Sequence, residues 1–73
     1  MDEIDTFILA LVKDADHPMT VPEVHQKINE GCCDCTYNRA YKRLMSLVAY
    51  NFLDVKKSEG PGMPKLEFSL VTA

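Results

Sequence analysis

The sequence predicts a mainly helical α+β fold, a three-helix bundle closed by a small antiparallel β hairpin, and three observations carry that reading. Apolar residues recur at helical spacing in three separate stretches, around residues 4–12, 21–28 and 40–48. A strict apolar alternation follows at Leu66, Phe68 and Leu70. Between the last helix and that alternation lies the turn-rich run Ser58-Glu59-Gly60-Pro61-Gly62-Met63-Pro64. At 73 residues the chain is read as a single domain, 1–73, with a core near the lower size limit for independent folding.

The first helix is expected over residues 3–14. Ile4, Phe7, Ile8, Leu11 and Val12 form its apolar stripe, with Asp5, Thr6 and Lys13 opposite. Asp2 is placed to cap it, and Glu3 and Asp5 suit the positive end of the helix dipole. Pro18 ends the segment, because the residue before a proline avoids helical geometry.

Met19 and Thr20 are then free to pair as a stub strand before a second helix. Thr20, Pro22 and Glu23 have the spacing of a capping box with a proline in the first turn. Val21, Val24 and Ile28 give its buried stripe, and Gly31 reads as its stop.

The third helix starts between Asp34 and Thr36 and ends near Tyr50, where Asn51 can adopt the left-handed conformation usually left to glycine. Its core face is Ala40, Leu44, Leu47 and Val48, joined by either Tyr37 or Tyr41. Tyr50 is expected to pack under the hairpin. Phe52, Leu53 and Val55 open one strand and residues 65–71 form the other, which is read as an exposed edge.

Charge is distributed unevenly along the chain. The net charge is −3, but residues 38–57 hold five bases against Asp54, while residues 1–37 hold eight acids against two lysines. An acidic first half followed by a basic helix and strand implies one positive face able to meet a polyanion.

The remaining features exclude more than they assign. No apolar run is long enough to span a bilayer, and acidic residues 2–5 are unlike a secretory leader, so the cytosol is the default location and no membrane partner is expected. Cys32, Cys33 and Cys35 are an odd count in one cluster, a poor disulfide framework. With His25 they supply candidate metal ligands or a thiol switch, but adjacent cysteines chelate a tetrahedral ion poorly, so no metal and no cofactor is expected. His17 reads as a solvated loop residue. No nucleophile elbow, phosphate-binding loop or carboxylate pair in a pocket is present, and no enzyme activity is expected.

Two segments carry a resemblance. Met19-Thr20-Val21-Pro22-Glu23-Val24 and Leu44-Met45-Ser46-Leu47-Val48-Ala49-Tyr50-Asn51-Phe52-Leu53 resemble signatures of the winged helix-turn-helix DNA-binding family, with Asn51 where the family usually has glycine. The resemblance spans nearly the whole chain. It implies that the third helix is a recognition helix, that the 57–65 loop is the wing, and that the partner is double-stranded DNA bound by a small transcriptional regulator.

Asn38, Arg39, Lys42, Arg43 and Ser46 would then face the major groove, with Lys56, Lys57 and Lys65 on the backbone. Arginine forks onto guanine, asparagine pairs with adenine, and lysine or tyrosine hydroxyls reach phosphate. The wing tip has no Arg or Lys between Ser58 and Pro64, so deep minor-groove insertion is not expected. Two alternatives stand beside this reading. One is an interaction or adaptor module that docks a protein through its acidic half; the other is a regulator responding to redox state or metal through Cys32, Cys33 and Cys35. Monomer and homodimer are left level.

Overall fold

Helix α1 runs from Glu3 to Asp14, and its stripe of Ile4, Ile8 and Val12 is buried. A computed structural model of the chain describes residues 3–58, 62 and 65–71; the expected Asp2 cap and most of the wing tip lie outside them. After α1 come β1 (Met19–Thr20), α2 (Val21–Gly31), α3 (Tyr37–Ala49), β2 (Leu53–Ser58) and β3 (Lys65–Leu70).

Local chemistry sets each boundary. The Glu23 carboxylate turns back to the Thr20 N–H at 3.5 Å and accepts the Thr20 hydroxyl at 3.2 Å, the capping box that opens α2. The Thr36 hydroxyl accepts the Arg39 N–H at 3.2 Å and opens α3. At the far end Asn51 has φ +65°, while Phe52 N–H donates to Leu47 O at 2.9 Å and Asn51 N–H to Val48 O at 3.0 Å. That pair of bonds is a Schellman closure, and it satisfies carbonyls that the last turn would otherwise leave open. α2 stops at Gly31 as expected, but not through a left-handed glycine. Its φ is not positive; a Cβ there would lie 3.0 Å from the Phe7 ring, so glycine permits the close approach of α1 to the end of α2.

The sheet order is β1-β3-β2, all antiparallel. Met19 pairs with Phe68 and Thr20 with Glu67, so β3 is the central strand and not the edge that sequence suggests. The stub is too short to be weighed as a strand by periodicity, yet two residues suffice to cover the middle of β3. Phe68 lies between Met19 and Val55 and is fully buried. Burying such a side chain stabilises a fold by roughly 1.5–3 kcal/mol. The core is completed by Val24, Ile28, Ala40, Leu44, Leu47 and Leu53, with Val48 half-buried beside it.

Two further expectations are corrected, and that for His17, which is exposed in its loop, is extended. Asp5 is buried at 4% exposure: it flanks Val12 on the helix surface and does not lie opposite the stripe. Tyr50 is 72% exposed, because the Schellman turn carries the chain away before its ring can reach the hairpin. His17 is held by two carboxylates, Asp16 Oδ1 at 3.0 Å and Glu23 Oε2 at 2.9 Å.

Candidate nucleic-acid interface

Helix α3 buries Ala40, Leu44 and Leu47, and with about 3.6 residues per turn the opposite crest is Asn38, Lys42 and Ala49, all exposed. Met45 lies half-buried on one flank of that crest, beside Tyr41. Arg39 and Ser46 lie on the other, Arg39 exposed and Ser46 half-buried.

The start of α3 is anchored from α2. Asn29 brackets the Cys35 peptide, accepting its N–H at 3.0 Å and donating to its carbonyl at 3.0 Å. His25 Nε2–H donates to the same carbonyl at 2.8 Å, and its ring meets Tyr37 edge-on at 5.7 Å. The long turn between the helices is therefore ordered by side chains of the preceding helix, which leaves α3 a defined starting direction.

The same turn positions the cysteines. Cys35 is buried and burial pushes its thiol up, the reverse of the lowering expected near a helix start, although Arg39 works in the opposite direction. Cys32 is half-buried and Cys33 exposed. Among the described residues no group of three His, Cys, Asp or Glu side chains converges as a metal site.

Arg43 is the sequence-predicted contact that the fold places elsewhere. It sits on the side of α3 that meets α1, where Nε donates to Asp5 Oδ1 at 2.8 Å and a terminal nitrogen pairs with Oδ2. The guanidinium fork is matched to a carboxylate of the same molecule. Its side chain is one-third exposed and Asp5 is nearly closed to solvent. Periodicity could not reveal this, because both residues are polar and stand 38 positions apart.

The hairpin divides the remaining lysines. The pleat puts Leu53, Val55 and Lys57 on the core side of β2 and Lys56 on the other. Lys56 stands directly opposite Glu67, Lys57 opposite Leu66, and Lys65 opposite Ser58. All three lysines are exposed, but they do not form a single row.

Lys65 is brought to α3 by a groove of about 470 Å³. Its lining includes Thr20 and Pro22 at the start of α2, Tyr37 and Tyr41 of α3, and Lys65 and Leu66 of β3. It opens where α2 peels away from β3 just beyond the Thr20–Glu67 pair. Sequence reasoning assigned the tyrosines no part here; their spacing was visible, but an aromatic pair one turn apart fits a core as well as a cleft wall. Tyr41 is half-buried against the core, and Tyr37 is 51% exposed.

Comparison with solved structures settles the architecture. The chain superposes on Bacillus subtilis PadR, solved in complex with operator DNA, with a TM-score of 0.80 at 16% identity over 96% of this chain and 41% of that one. It also matches a PadR-like transcription factor from Bacteroides fragilis (TM-score 0.77, 20% identity, 92% of this chain and 64% of that one). The fold is a winged helix. A third neighbour, the ferric uptake regulator of Pseudomonas aeruginosa with manganese, agrees at TM-score 0.73 and 19% identity over 100% of this chain and 53% of that one. This winged helix therefore spans between two-fifths and two-thirds of the length of those regulators. No family profile and no curated protein matches it in sequence.

Proposed function

We propose that this winged helix binds double-stranded DNA as the DNA-binding part of a transcriptional regulator. α3 enters the major groove through Asn38, Arg39, Lys42 and Ser46, and Lys56, Lys57 and Lys65 engage the backbone. The observation that carries the reading is the exposed polar crest of α3, Asn38 and Lys42, standing beside a groove whose far wall holds Lys65. A major groove about 12 Å wide admits one helix, and cations on the adjoining hairpin then lie over the flanking phosphates. The PadR neighbour, solved in complex with operator DNA, supports duplex DNA as the partner.

In this arrangement Arg43 is a positioning residue. Its pairing with Asp5 orients α3 on α1, and the number of cations available to phosphate falls accordingly. Non-specific attraction is weak for a chain of net charge −3, so affinity rests on the local face of α3 and the hairpin.

Fluorescence anisotropy with random-sequence duplexes at low salt tests the reading. Binding should weaken linearly in log–log coordinates as salt rises, with a slope of about −0.9 per phosphate neutralised. No binding to any duplex at low salt would remove the proposal and leave a protein-docking module.

A further inference from the structure

No arginine stands at the centre of the α3 crest. Of the two arginines on the helix, Arg43 is matched to Asp5 and Arg39 is exposed on the flank away from Met45. What projects along the crest and its groove-side flank is Asn38, Lys42, Met45 and Ala49. The last two are apolar: Met45 is half-buried, with one side packed against the core, and Ala49 is exposed. Their spacing from Asn38 places one polar and two apolar groups within a single narrow strip of helix surface.

In the major groove the two features that mark an A·T pair are the adenine N6/N7 edge and the thymine 5-methyl group. An amide side chain forks onto the first, and small or flexible apolar side chains cover the second. Resting on the DNA-binding reading above, we infer that this winged helix is specific for A·T-containing sites, with Asn38 reading adenine and Met45 and Ala49 reading thymine methyl groups. Lys42, between them, contributes charge. The pairing of Arg43 with Asp5 is thus also a specificity device, since it withdraws from the groove one of the helix's two arginines.

The test is a selected duplex made in two forms. Sites are selected from a random duplex library, and the preferred site is synthesised with thymine or with deoxyuridine. The two carry the same phosphates and hydrogen-bonding groups and differ only in the methyl groups. Affinity should fall about fourfold for each thymine methyl removed at a contacted position, the transfer value of a methyl-sized group.

Ala49→Ser, at an exposed position, and Met45→Gln should bring the thymine/uracil ratio close to one while leaving the salt slope unchanged. Asn38→Ala should relax selection at adenine. Circular dichroism melting of each variant separates this from loss of fold, and should Met45→Gln unfold, Ala49→Ser alone should still lower the ratio. Equal affinity for the thymine and uracil duplexes, or a selected site built on G·C pairs, would overturn the inference while leaving DNA binding intact. Absence of binding to every duplex would remove both together.

Discussion

The carboxylate of Asp5 on α1 takes both Nε and a terminal nitrogen of Arg43 on α3, joining two helices whose paired residues are 38 positions apart in the chain. Asp5 is 4% exposed, so its charge is tolerated because the guanidinium faces it. Arg43→Ala should lower stability by about 2–4 kcal/mol, toward the lower end of the range for broken buried pairs because Arg43 is itself one-third exposed. Urea unfolding at pH 7 measures it. The same variant should leave the salt slope of DNA binding unchanged; a slope reduced by one unit with unaltered stability would return Arg43 to the DNA face.

Asn51 holds φ +65° at the end of α3, a conformation that costs an ordinary L residue about 1–2 kcal/mol and asparagine less. Asn51→Ala should therefore destabilise by about 1 kcal/mol and Asn51→Gly should be neutral or stabilising. Thermal melts of the two variants must move in opposite directions, or at least in that order.

His17 should titrate above its ordinary value of 6.5, first because Asp16 accepts a hydrogen bond from its imidazolium and second because Glu23 does. A group whose folded pKa is raised contributes stability that is fully present below the unfolded value and lost as pH rises through the folded one. The contribution of His17 is thus fully present below its ordinary value of 6.5 and fades as pH rises through the raised folded one. NMR titration of its ring protons should show the raised midpoint, and Asp16→Asn should lower it more than Glu23→Gln. A midpoint at or below 6.5 in the unmodified protein would mean that the two contacts do not persist in solution.

On the outward side of the hairpin, Lys56 stands opposite Glu67, and Lys65 shares that side through its pairing with Ser58. If this surface meets phosphate, Glu67 is a repulsive element beside two cations. Glu67→Gln should tighten DNA binding at low salt, with the gain shrinking as salt rises, whereas Lys65→Ala should weaken binding and reduce the salt slope by about one unit. Anisotropy titrations at two salt concentrations distinguish these outcomes.

Much of the architecture was legible in the chain itself. Ile4, Ile8 and Val12, then Val24 and Ile28, then Ala40, Leu44 and Leu47 announce three helices by spacing alone. Thr20 with Glu23, and Asn51 after Tyr50, mark the ends by chemistry local to a few residues. Such signals depend on neighbours within one or two turns, which a linear reading contains. The candidate site was legible only as composition: a cationic stretch with Asn38, Lys42 and three hairpin lysines, whose grouping depended on faces that composition does not specify.

The sequence by itself determined the helical periodicities, the capping residues, the alternation of β3 and the cationic stretch from Arg39 to Lys57, because each is set by contacts within a few positions. Only the tertiary structure decided that Asp5 is buried and claims Arg43, that two residues of β1 make β3 a central strand, and that Tyr37, Tyr41 and Lys65 line one groove. Those outcomes depend on which helix and strand surfaces meet across long separations, and a polar residue carries no local mark that tells water from a distant partner.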